Sequence, residues 1–124
     1  MPTRTITAAN LDSTIVENDI VILDFWAAWC GPCRAFAPVF EAASERHPDV
    51  VFGKIDTEAQ QQLAAAFEIR SIPTLMIFRE KVLLFAQPGA LPAPALEEVL
   101  GKVKALDMAA VHAEVAKQQA AAEG

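Results

Sequence analysis

The chain is short of most features that would assign it to a membrane, to nucleic acid or to a disulfide scaffold. No apolar run reaches the roughly 20 residues of a membrane helix, and the best candidate, "IVILDFWAAWC", is broken by Asp24 and ends at a turn. Basic charge is scarce: ten Lys and Arg against sixteen Asp and Glu leave a formal net charge of −6. That sign opposes phosphate binding and no basic stripe offsets it locally, so neither nucleic acid nor a membrane is expected as a partner. The opening stretch "MPTRTITAANLDSTIVEND" has one Arg and no apolar segment behind it, which gives no signal peptide and an expected cytoplasmic location. Two cysteines are too few for a disulfide scaffold. Beyond them only His47 and His112 are available as soft ligands; both read as solvated helix residues without ligand spacing, so no metal is expected. Repeats are missing, and the one biased segment, the Ala/Gln-rich "AKQQAAAEG", is expected to fray.

What is present is a chain of 124 residues, 53% hydrophobic, enough for one domain with a real core. "TAANLDSTIVEND" carries Leu11 and Ile15 at a helical step and reads as a short amphipathic helix. "IVILDFWA" is a strand with so little polar interruption that both its faces should be covered. From Pro32 to His47 the set Phe36, Ala37, Phe40 and Ala43 follows helical spacing, with Pro38 expected to kink the helix and Pro48 to end it. "VVFGKID" is a second strand and "TEAQQQLAAAFE" a helix. "TLMIF" and "KVLLFA" form an antiparallel hairpin, and "LPAPALEEVLGKVKAL" is a helix with prolines in its first turn. After the first helix the order β-α-β-α-β-β-α gives an α/β fold, a central mixed sheet between two helical layers.

The two cysteines stand together in "FWAAWCGPCRAF", residues 25–36. A staple closing so small a ring adds roughly 2 kcal/mol at best, to a domain that has about 5–15 kcal/mol without it. Redox chemistry accounts for more of the local sequence. Cys30 lies where a buried strand meets the first turn of a helix, whose free N–H groups favour a thiolate. Cys33 lies one turn further on, near enough to close the disulfide. Gly31 permits close backbone approach and Pro32 sets the start of the helix. Period two places Asp24 on a covered face, either as a structural carboxylate or as a proton acceptor for the second thiol. Trp29 is either packing or a flat docking surface, and Lys54 either a snorkelling strand residue or a charge beside Asp24.

The stretch "DFWAAWCGPC" resembles the active-site motif of the thioredoxin family, and "IRSIPTLMIF" resembles its second signature, over a match from about Thr5 to Leu106. The resemblance implies a thioredoxin fold and a thiol–disulfide oxidoreductase that reduces disulfide-containing protein substrates. It implies Cys30 as nucleophile, Cys33 as resolving thiol, Asp24 as proton acceptor and Lys54 as its modulator. Pro73 would be cis, and Trp29, Gly31, Pro32, Ile72, Pro73 and Gly89 would bind substrate. It further implies no bound cofactor, a monomer, and regeneration by a thioredoxin reductase that uses NADPH and flavin. The alternatives are a disulfide oxidant or isomerase, or a non-catalytic interaction subunit. Residues 1–106 would be the catalytic domain and 107–124 a helical extension or frayed tail, with Asp107 capping a helix that shows Met108, Val111 and Val115 on one side. The hairpin "FREKVLLF" lacks the Gly or Asn of a tight turn, and its apolar outer strand suggests an association surface.

Overall fold

The computed structural model describes residues 2–123, so Met1 and Gly124, the outermost residues of the two expected segments, lie outside the described residues. In chain order the elements are β1 (Thr3–Thr5), α1 (Leu11–Glu17), β2 (Ile20–Trp26), α2 (Gly31–Arg46), β3 (Val50–Asp56), α3 (Gln61–Ala66), β4 (Thr74–Arg79), β5 (Val82–Pro88), α4 (Ala93–Ala105) and α5 (Met108–Glu123). The apolar run at β2 leaves no face for water, and β2 takes the middle of the sheet, whose order is β1-β3-β2-β4-β5. Strands β1 and β2 run parallel to β3, whereas β4 is antiparallel to both β2 and β5, which makes the sheet mixed.

Side chains alternate along β2 into two cores. Ile20 and Ile22 join Phe36, Phe40, Leu96 and Leu100 beneath α2 and α4. Val21, Leu23 and Phe25 join Leu11 and Ile55 beneath α1 and α3. The result is the three-layer α/β/α architecture expected from the sequence. Phe36, Phe40 and Phe52 form a run of ring contacts at 5.8 and 5.1 Å that fixes α2 on the sheet and, with it, the position of its first turn. The helix continues through Pro38 and stops at Arg46, ahead of Pro48.

Several local features differ from the sequence reading. Strand β1 was not expected, because Thr-Arg-Thr has no apolar alternation; its pairing with β3 holds it, and Ile6 follows it into the core. That close approach needs Gly53, where an added Cβ would lie 2.5 Å from Ile6 Cγ1. His47 is not a solvated helix residue. It caps α2 at 16% side-chain exposure, contacts Glu97 and Lys104 through its two ring nitrogens, and stacks on Phe52. His112 is exposed, as expected, and bonds Glu80 across to the hairpin turn.

The hairpin loop is two residues long, Glu80 and Lys81, with φ of 49° and 71° at those positions, the primed geometry usually filled by Asn-Gly. In β5 the register shifts opposite Ile77 and Phe78, so Leu84 is the extra residue and both Leu84 and Phe85 pack on the core. The bulge thus absorbs much of the apolar surplus read in this outer strand. Helix α5 starts at Met108, where Asp107 Oδ1 accepts from the Ala110 N–H, and runs to Glu123. Residues 116–123 of the segment expected to fray are helical, consistent with their Ala, Gln, Lys and Glu content. No helix among the described residues is long and apolar enough to cross a membrane.

Candidate active site

Cys30 is the N-cap residue of α2, with extended backbone angles and its Sγ accepting a hydrogen bond from the Cys33 N–H at 3.2 Å. A helix N-terminus leaves its first N–H groups without intrahelical partners, and here one of them is directed at sulfur. Cys33, a turn later, is joined to Cys30 in a disulfide with a Cα–Cα distance of 5.2 Å. Both cysteines are buried and pack with Ala27, Trp26 and Ile72, while Gly31 and Pro32 between them are exposed. The disulfide is therefore nearly closed off from solvent, with the exposed Gly31–Pro32 turn on one side.

That side is bounded by the loop before β4. The Ile72–Pro73 peptide is cis, and the Ile72 carbonyl oxygen stands 3.8 Å from Cys30 Sγ. Neither the N–H nor the C=O of Ile72 has a backbone partner among the described residues, so an extended chain can pair there. Gly89 adopts a φ of 105°, which favours glycine, and its N–H donates to the Pro73 carbonyl at 2.7 Å, tying the end of β5 to this loop. Trp29 is 66% exposed, and its indole N–H donates to Glu58 Oε1 at 2.5 Å. Between Trp29 and Ile72 lies an open depression of about 380 Å³ whose walls include Ile69, Arg70 and Ser71.

Asp24 lies beneath the disulfide end of the sheet, on the face covered by α2. It is 1% exposed, and among the described residues neither carboxylate oxygen has a hydrogen-bond partner. Burial pushes its pKa up to about 7, and the positive charge of Lys54 opposes part of that rise. Lys54 is the cross-strand neighbour of Asp24 in the β2–β3 pairing, and its Nζ stands 5.1 Å from the centroid of the Trp26 ring. Of the residues expected from the sequence, Trp29, Gly31 and Pro32 adjoin the cysteines in the chain, Ile72 packs on them, Pro73 follows it through the cis bond, Gly89 bonds Pro73, and Lys54 pairs with Asp24. Glu58 and Arg70 were not anticipated. Glu58 meets Trp29 across 29 positions of sequence, a separation without a local signal. Arg70 stands only two residues before Ile72 in the second motif, a proximity that could have marked it. Among the described residues, no three His, Cys, Asp or Glu side chains come together as a metal site.

Residues 2–102 match the family model described as Thioredoxin. A relative from Streptomyces coelicolor that bears a thioredoxin name is 59% identical over 117 residues, covering 94% of this chain and 87% of the relative. That span is too long to end before α5. Thioredoxin C-3 from Corynebacterium nephridii is 44% identical, over 73% of this chain and 63% of its own length. Among solved structures, a mutant thioredoxin from Halobacterium salinarum superposes with a TM-score of 0.77 at 33% identity, covering 82% of this chain and 90% of that one.

Proposed function

The chain belongs to the thioredoxin family and is a protein thiol–disulfide oxidoreductase, and from that premise we propose how its residues divide the work. In the reduced protein the Cys30 thiolate attacks one sulfur of a substrate disulfide. A mixed disulfide forms, the substrate S–S bond breaks, and the first substrate sulfur leaves as a thiolate that takes a proton from water. Cys33 then gives its proton to the Asp24 carboxylate and attacks Cys30 Sγ, which releases the second substrate thiolate. Two electrons have passed to the substrate, and the protein is left with the Cys30–Cys33 disulfide.

The observation that carries these roles is the Cys33 N–H directed at Cys30 Sγ: it stabilises negative charge on the sulfur at the N-cap of α2, whereas Cys33 lies inside the first turn. Asp24 suits proton acceptance because a carboxyl group with a pKa of about 7 is present in both forms near neutral pH, and Lys54 biases it toward the charged form. Trp29, Gly31, Pro32, Ile72, Pro73 and Gly89 form the surface on which the substrate chain lies, in extended pairing with Ile72. In this reading residues 1–106 are the catalytic unit, the protein acts as a cytoplasmic monomer without a bound cofactor, and an NADPH- and flavin-dependent thioredoxin reductase returns it to the dithiol. Reduction of insulin disulfides tests the assignment: Cys30→Ser abolishes it, and residual turnover above the thiol-free background contradicts the role given to Cys30.

A further inference from the structure

Arg70 is held out at the edge of the site by anchors on both sides. Before it, α3 ends in a turn in which Glu68 adopts a φ of 54°, the Glu68 N–H donates to Ala65 O at 3.0 Å and the Ile69 N–H to Ala64 O at 2.9 Å. After it, the Ser71 carbonyl accepts the Thr74 hydroxyl at 2.5 Å. Ile69 and Ile72 both pack on the core, so Arg70 and Ser71 form a short exposed bridge between fixed points.

The guanidinium at this bridge is unengaged among the described residues. Of the five arginines, Arg34 donates to Ala28 O, Arg46 pairs with Glu97, and Arg79 pairs with Asp19 and caps carbonyls at the end of α4. Among the described residues Arg70 has neither an ion pair nor a side-chain hydrogen bond; the other arginine in that condition, Arg4, lies on the edge strand β1. The nearby acids are differently placed. Glu58 is taken up by Trp29, and Asp56 Oδ1 accepts the Glu58 and Ala59 N–H groups. Arg70 lines the depression beside Trp29 and Ile72 and also a second one, of about 220 Å³, that reaches Pro88. A chain paired with Ile72 therefore passes this cation on either course.

We infer that Arg70 is a specificity-determining residue that takes the carboxylate of a substrate protein's Asp or Glu near the disulfide cysteine under attack; this rests on the reading of Cys30 as the attacking group. Extended pairing spaces residues by about 3.3 Å, so the two-residue step from Ile72 to Arg70 puts the acid two to three positions from the cysteine. Guanidinium and carboxylate match as a fork, which a lysine would not reproduce. The net charge of −6 repels acidic partners in general, so selection by one cation is local and works against the background. Glu68 lines the second depression as well, which favours a single acid over an acidic run.

The test uses the reduced full chain in single-turnover reactions with three disulfide-linked peptides, identical except for Glu, Gln or Lys two to three positions from the cysteine. Hydroxyethyl disulfide, which is uncharged and small, serves as the reference substrate. At low ionic strength the rate constant falls from Glu to Gln to Lys, by about fivefold in total, the size of an exposed charge pair, and the spread shrinks as salt is added. Arg70→Gln flattens the series and Arg70→Glu reverses it, a reversal that loss of folding cannot produce. An Arg70→Glu series that keeps the wild-type order overturns the inference. Failure of the wild-type dithiol to reduce even hydroxyethyl disulfide overturns the reading of Cys30 and the inference with it.

Discussion

At the scale of single residues, Asp24 is the group whose proposed role ties stability to turnover. Its carboxyl is buried with no hydrogen bond among the described residues, and its pKa is raised from 3.8 to about 7. The folded protein therefore binds more protons than the unfolded chain between those two values, and stability falls as pH rises through that window. Between pH 5 and pH 8 the loss is on the order of 2–3 kcal/mol. Urea unfolding of the oxidised protein should show that loss, and Asp24→Asn should remove most of it, so that the variant is the more stable form at pH 8. The same variant should turn over more slowly, because an amide cannot take the Cys33 proton. A variant that is less stable at pH 8 and fully active would make Asp24 an ordinary structural residue. Asp24 was legible in sequence because strand parity alone puts it on a covered face. The Glu58–Trp29 contact was not, since nothing local joins residues that meet only through the fold.

At the scale of elements, two turns carry side chains where glycine would be easier. Glu68 occupies the left-handed position that closes α3, and Lys81 the second position of the hairpin turn. A side chain in that region costs about 1–2 kcal/mol, part of which the greater freedom of glycine in the unfolded chain would offset. Glu68→Gly and Lys81→Gly should each raise stability by about 0.5–1 kcal/mol, and the effects should add if the two turns act independently. Urea midpoints at unchanged slope would measure this, and a lowered midpoint for both would contradict the account. The turns also show where sequence reasoning loses its grip. The hairpin was legible because two apolar runs stand two residues apart, but its turn type was hidden by the wrong residues for it. The bulge at Leu84 and the strand Thr3–Thr5 left no pattern, because backbone pairing determines both. Strand β2 and helix α2 were legible almost to the residue, since each has a dense apolar pattern and a clear boundary.

At the scale of the whole molecule, the three layers follow from a central strand covered on both faces, and the site follows from where that strand hands over to α2. Helix α5 stands apart from this logic. Met108 is its buried residue, and the His112–Glu80 contact is its exposed tie to the hairpin. Removing the residues after Leu106 leaves the carbonyls that Arg79 caps in place and strips away Met108. Thermal or urea unfolding should register a loss of about 2 kcal/mol, the burial of one such side chain, with insulin reduction within twofold of the full chain. A tenfold fall in activity in a folded truncation would make α5 part of the working protein.

The assignment of the two sulfurs is tested most directly by Cys33→Ser mixed with one equivalent of a peptide disulfide, quenched in acid and mapped by mass spectrometry. The account predicts a single stalled adduct, with the peptide joined to Cys30 through its sulfur and no further turnover, because the thiol that resolves the intermediate is gone. Repeated reduction of the peptide by Cys33→Ser, or an adduct that forms instead on Cys33 in the Cys30→Ser protein at a comparable rate, would contradict it.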